Sequence, residues 1–254
     1  MTLRRVDVHA HYGHWPFAST DHSFSALLKM VHEAEIDQCW LSSVKAITAD
    51  PVEGNRELFE IIEPYPELAG QVVINPHFVH ESIEEIKKYM NHPQFVGLKT
   101  HPNYCAENCD SRGYREIFEA YSRISDKPIL VHCFLLGEAQ ALIRVAPDFP
   151  PLPFIMAHMG GAEWKAAVDG AADIGNIYFE PACSLPLADK IAYAVQCAGP
   201  ERFLFGTDLT LIDPGFSIGM VESTEIDEET KERIYCRNAL RLLGHGRCVV
   251  GGDG

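Results

Sequence analysis

Several side chains able to bind a cation or move a proton stand at matching places in this sequence. His9, His11, Lys99, His101, His132, His158 and Asp208 each lie at or just past the end of a short apolar run. His132 follows Pro-Ile-Leu-Val, His158 follows Phe-Ile-Met-Ala, and Asp208 follows Leu-Phe-Gly-Thr. Residues two apart on a strand share a face, so His9 and His11 can present imidazole nitrogens to one ion. One His-x-His pair is weak grounds for a metal site, because strand histidines are often ordinary core residues. Several strands ending in a ligand type strengthen the case: if their C-terminal ends converge, the polar residues meet at one point, and a shared metal site is the expectation.

The elements that must position these residues alternate between β-rich apolar runs and longer helical stretches. The runs are Arg5–His11, Gln38–Val44, Gln71–Asn75, Phe95–His101, Pro128–His132, Pro153–His158, Asn176–Glu180 and Arg202–Asp208. Their ends fall about 22 to 33 residues apart, roughly one strand-helix unit each time. Between them lie amphipathic segments such as Ser82–Met90 and Glu228–Leu243. Asp227 is expected to cap the second of these and Gly244 to stop it, so the acidic run Glu222–Glu229 reads as a solvated helix start. The pattern predicts an α/β fold, a (β/α)8 TIM barrel closed by eight parallel strands, with a doubly wound open sheet as the alternative.

At 254 residues and without a linker or charge block, the chain is expected to be one domain, with its core over residues 5–244 and a frayed tail at Gly251–Gly254. Apolar residues make up 46%, enough for a continuous core, yet no run approaches the roughly 20 residues of a membrane span. The start of the chain has no apolar export signal, which predicts a cytoplasmic protein. Its cysteines follow no disulfide framework and read as reduced thiols, Cys39 and Cys133 as core residues. A formal charge of −15 and no basic stripe argue against nucleic acid. The expected partner is a small-molecule substrate, with no membrane; self-association into a homo-oligomer is left open.

Val6-Asp-Val-His-Ala-His11, Val96-Gly-Leu-Lys-Thr-His-Pro102, Val131-His132, Ala157-His-Met-Gly-Gly161, Phe205-Gly-Thr-Asp208 and Asn238-Ala-Leu-Arg-Leu-Leu243 together resemble the amidohydrolase-related group of the amidohydrolase superfamily, which includes amino-carboxymuconate-semialdehyde decarboxylase-like proteins. The resemblance implies that His9, His11, His132 and Asp208 hold a divalent metal, with His158 ligating or positioning the attacking water. Zinc is the expected ion, in one or two copies, with manganese or iron as alternatives. Lys99 stands where binuclear relatives carry a carboxylated lysine that bridges two metals; otherwise it binds a substrate carboxylate or reaches the rim.

His101 suits a substrate contact or a solvent-exposed loop, and Trp15, with Tyr12 and His14, either walls the substrate or packs the loop. Cys105 and Cys109 are too few for a closed zinc site and are expected to be free thiols near the pocket. His22, His32, His80, His92 and His245 are expected at the surface. The function this implies is a hydrolase using metal-activated water on a small-molecule amide, ester or lactone, with Asp208 as base and His158 steadying the oxyanion. The alternative is a non-hydrolytic decarboxylase of a small carboxylic acid; it calls for a cation aimed at the carboxylate, with Lys45, Lys99 and Arg112 as candidates. A TatD-type nuclease fits poorly, since it carries glutamate at the Lys99 place and Glu-Thr-Asp where this chain has Gly206-Thr-Asp208. A metal-binding protein without catalysis is the remaining rival.

Overall fold

The computed structural model describes residues 4–18, 21–182, 185, 187 and 189–244. The expected tail Gly251–Gly254 and His245 lie outside the described residues. Seven parallel strands form one sheet in sequence order: β1 (Val6–Tyr12), β2 (Gln38–Ser43), β3 (Leu68–Val73), β4 (Phe95–Thr100), β5 (Ile129–His132), β6 (Phe154–Ala157) and β7 (Ile177–Glu180). The helices between them make parallel neighbours of consecutive strands, as a run of βα units requires. Among the described residues no helix is long and apolar enough to cross a membrane.

The two larger of three apolar clusters among the described residues hold the sheet. The larger packs one side of the strands, including Leu41, Val72, Leu98, Val131, Met156 and Phe179, against helix residues such as Leu58, Ile86, Phe118, Leu142 and Val168. The smaller takes Val6 and Val8 from β1, Trp40, Ala69, Val96, Leu130, and Ile155 with Ala157 from β6, together with Leu204. The sheet curls, since its first and seventh strands are bridged by hydrogen bonds through residues 203–209.

The expected eighth strand is not formed as a strand. Residues 203–209 lie between β7 and β1 and hydrogen-bond both: Leu204 N–H donates to Phe179 O at 2.9 Å, Val8 N–H to Phe205 O at 3.0 Å, and Asp208 N–H to His9 O at 2.7 Å. Only the isolated bridges Phe179↔Phe203 and Ala10↔Leu209 result, so no continuous eighth ladder closes the sheet. Side-chain hydrogen bonds at Thr207 are the reason. The Thr207 amide donates to Asp7 Oδ1 at 3.1 Å and the Leu209 amide to Thr207 Oγ1 at 3.1 Å, so side chains take donors that a ladder would use. Asp208 also turns to a φ of 60°, outside the strand region.

Helix boundaries depart modestly from the sequence reading. The segment expected at Ser82–Met90 is helical over Val79–Tyr89. That expected at Glu228–Leu243 begins as foreseen, with the Asp227 side chain accepting from Thr230 N–H, but widens to a π-helix over Arg233–Arg237 before ending at Leu242. Within the widened turn the Ile234 carbonyl accepts from Phe205 N–H at 3.0 Å, so it serves the 203–209 segment. Gly244, at a φ of 74°, ends the helix as expected.

Candidate metal centre

The ends of the strands bring the expected residues to one place. On β1 the alternation turns His9 and His11 to a common side, and both are buried. Asp208 reaches the same point from the turn after residue 207. His9 Nε2 lies 3.2 Å from His11 Nε2, His11 Nε2 lies 3.1 Å from Asp208 Oδ1, and His9 Nε2 lies 3.5 Å from that oxygen.

Neighbouring groups fix the imidazole tautomers. His9 Nδ1 lies 2.7 Å from Glu180 Oε2, at the end of β7. Burial and the nearby Lys99 hold the His9 imidazole well below its ordinary pKa, while burial pushes the Glu180 carboxyl up to about 8. Lys99 Nζ, a donor 3.0 Å from His9 Nε2, makes that nitrogen the acceptor, so the ring proton sits on Nδ1 toward Glu180 and the Nε2 lone pair is turned inward. His11 Nδ1 lies 2.9 Å from Ser42 Oγ, an acceptor that leaves the His11 Nε2 lone pair facing His9 and Asp208. Burial works against the Asp208 charge, but the contact with His11 and the ammonium of Lys99 outweigh it and keep the carboxyl below its usual value. Two lone pairs and a carboxylate oxygen thus face one another.

This triangle fits a cation. With metal–ligand bonds of roughly 2.0–2.2 Å, two ligands at 90–110° around one ion stand about 3.0–3.5 Å apart, and the three observed separations match. His9, His11 and Asp208 form one group whose donors could hold a metal ion; His9, His158 and Glu180 form another. His132, expected among the ligands, belongs to neither group. Its Nδ1 instead lies 3.1 Å from His158 Nε2, and its ring stacks on His101 with centroids 3.8 Å apart. His158 Nδ1 lies 2.5 Å from the Ala182 carbonyl, which can only accept, so His158 carries its proton there and takes the His132 Nδ1–H at Nε2. Burial lowers the His158 pKa to about 4, so the ring is neutral.

Lys99 neither snorkels nor reaches the rim: it is fully buried, with Nζ 3.0 Å from His9 Nε2. Burial lowers its pKa to about 8 against the pull of Asp208 and Glu180. His158 and Asp208 share a further feature, φ angles of 63° and 60°. Non-glycine residues seldom adopt such angles, and when they do they cluster at functional sites. Gly161, at a φ of 60° in the turn after His158, could not be replaced freely, because a Cβ there would meet Phe134 O at 2.2 Å.

A cavity of about 520 Å³ opens over this cluster. His11, His101, His132, His158 and Asp208 line its deeper part, and Trp15, Phe17, Asn103, Tyr104, Phe134 and Leu211 its walls. Exposure rises from 3% at His158 and 6% at Asp208 to 37% at Phe134, 41% at Tyr104 and 65% at Phe17, so the polar groups form a floor and the aromatics a rim. Trp15 lies at the wall, 5.0 Å from the His11 ring, and His101, its ring 6.1 Å from that of Trp15, is buried rather than solvent-exposed.

Other expectations fare differently. His22 is buried, not superficial, and bonds Thr210 Oγ1 at 2.6 Å. Cys105 and Cys109 are free but neither lines the cavity. Lys45 pairs with Glu57 at 2.7 Å and Arg112 with Glu116 at 2.7 Å, so neither is aimed at a substrate carboxylate. The sequence reading passed over Glu180, Ser42 and Asp7. Glu180 carried the same signal as the histidines, a polar residue ending the apolar strand Asn176–Glu180.

Among solved structures, the fold is similar to 2,6-dihydroxybenzoate decarboxylase from Rhizobium (TM-score 0.75, 18% identity, covering 96% of this chain and 99% of that one). It is also similar to dihydroxybenzoic acid decarboxylase from Polaromonas sp. JS666, solved with manganese and 2-nitroresorcinol bound (0.76, 17%, covering 97% and 98%). A third is 5-carboxyvanillate decarboxylase from Sphingomonas paucimobilis (0.75, 15%, covering 96% and 99%). At such identities these likenesses establish the fold alone. No curated protein sequence matches significantly. The family model described as amidohydrolase matches residues 6–245, nearly the whole length, and the chain therefore belongs to the amidohydrolase family.

Proposed function

We propose that the chain is a divalent-metal-dependent decarboxylase of a small carboxylic acid, with His9, His11 and Asp208 holding a single ion. The observation that carries this reading is the triangle of His9 Nε2, His11 Nε2 and Asp208 Oδ1, spaced for one cation at the floor of a solvent-connected cavity. We read the fold as a (β/α)8 barrel in which residues 203–209 take the eighth strand's place. The similar structures named above support decarboxylation over hydrolysis, because those of known reaction remove carbon dioxide from aromatic acids and one of them carries manganese. Hydrolysis of an amide, ester or lactone, the first expectation from sequence, has only the family's name behind it. Imidazole and carboxylate donors suit zinc, manganese or iron alike.

When bound, the ion supplies Lewis acidity toward a substrate oxygen, worth several kcal/mol of charge stabilisation. The chain's own residues do the rest. Glu180 and Ser42 hold His9 and His11 with Nε2 inward, while Lys99 offsets the charge of Asp208 and Glu180. His101 and Trp15 wall the substrate. As the carbon–carbon bond breaks, its electron pair stays on the ring carbon and carbon dioxide departs. That carbon takes its proton from water in the solvent-connected cavity, and the neutral His132–His158 pair beside it relays the proton, giving up one as it takes another.

The test is carbon dioxide release by the manganese-loaded protein and by chelator-treated protein, over a panel of hydroxybenzoates beside amides, esters and lactones. Metal-dependent carbon dioxide release is the expected result. Ring or amide opening without it would return the hydrolase reading.

A further inference from the structure

The cavity is unusual for a site meant to take an anion, because no lysine or arginine is among its described lining residues. Lys99 is buried behind the floor against His9, and Lys45 and Arg112 pair with their own glutamates. The floor imidazoles crowd too closely to supply several charges: His101 stacks on His132 at 3.8 Å, and His132 Nδ1 lies 3.1 Å from His158 Nε2. Toward the rim the lining is aromatic or neutral, from Phe17, Tyr104 and Phe134 to the amide of Asn103.

We propose that the site selects a substrate with one carboxylate, turned to the metal ligands at the floor, and an uncharged body lying between Phe17, Tyr104 and Phe134. The claim rests on the decarboxylase reading for the place of the first carboxylate, and it adds that a second carboxylate is excluded. The physical reason is desolvation. A carboxylate entering the rim loses water and finds no cation in return, whereas an aromatic or amide body loses little and gains ring contacts. The overall charge of −15 adds long-range repulsion of the same sign.

Two ligands that differ only in charge test this. One is a hydroxybenzoate with a carboxamide opposite its carboxylate; the other has a second carboxylate in that place. Binding of each to the manganese-loaded protein is read by calorimetry, and turnover separately by carbon dioxide release. The carboxamide should bind at least about tenfold more tightly, and Phe134→Arg, at a half-exposed position, should narrow or reverse the gap. Tyr104→Arg is the second variant should Phe134→Arg fold poorly. Equal or tighter binding of the diacid to the unmodified protein would overturn the inference, as would failure of the carboxamide to bind. Binding selectivity without carbon dioxide release would remove the decarboxylase reading and leave the charge selectivity standing.

Discussion

Lys99 Nζ lies 3.0 Å from His9 Nε2, so an ammonium and a metal ion would compete for the same lone pair. The relationship gives metal binding a pH dependence with a definite sign. With its pKa lowered to about 8, Lys99 is mostly ammonium at pH 7 and mostly amine at pH 9. The Glu180 carboxyl, pushed up to about 8, loses its proton over the same range. Both changes favour a cation, so apparent metal affinity should rise between pH 7 and 9. Lys99→Met should bind the ion more tightly at pH 7 and show a shallower rise, as read by competition with a fluorescent chelator.

Glu180 acts on the centre through the His9 ring. Replacing it with glutamine keeps the shape but offers His9 Nδ1 a weaker acceptor, and partners of this kind commonly change metal affinity by about 10- to 100-fold. Glu180→Gln should lower metal affinity by that order while the circular dichroism spectrum stays native. An unchanged affinity would mean that the ring is oriented by packing alone.

Asp208→Asn should leave the fold intact and lower turnover by at least about 1,000-fold, because the carboxylate is at once an anionic donor and a neighbour of the reacting groups. Steady-state kinetics with metal in excess separates a binding defect, which excess metal repairs, from a chemical one, which it does not.

Thr207 ties the 203–209 segment to β1: its hydroxyl donates to Asp7 Oδ2 at 2.5 Å and accepts from Leu209 N–H. Asp7 is fully buried, and burial raises its pKa to about 7. Thr207→Val leaves a buried carboxyl oxygen and a buried amide with one partner fewer, at a cost of about 1–3 kcal/mol in urea denaturation. The loss should be larger than for a Thr→Val change on the surface of an outer helix.

Much of this centre was legible in the chain because strand ends are a local signal. His9, His11 and Asp208 end apolar runs, and β1 to β7 each overlap a run visible in the sequence, although β3 begins at Leu68, ahead of the expected Gln71. Glu180 was legible by the same rule and was overlooked. The interrupted eighth strand was not legible. Its cause is a pairing between Asp7 and Thr207 across the length of the chain, which no local pattern encodes. His22 is a similar case, buried by a bond to Thr210 that periodicity cannot reveal. The hydrogen bond between His132 and His158 is likewise a contact between separate strands that no local pattern encodes.

The account stands on a cation held between His9, His11 and Asp208, and elemental analysis of the protein purified without chelators, beside a His9→Ala/His11→Ala variant, tests that most directly. The account predicts close to one equivalent of divalent metal per chain in the first and almost none in the second, both folded. A folded protein that binds no divalent metal even when manganese or zinc is supplied, or a double variant that keeps its full equivalent, would contradict it.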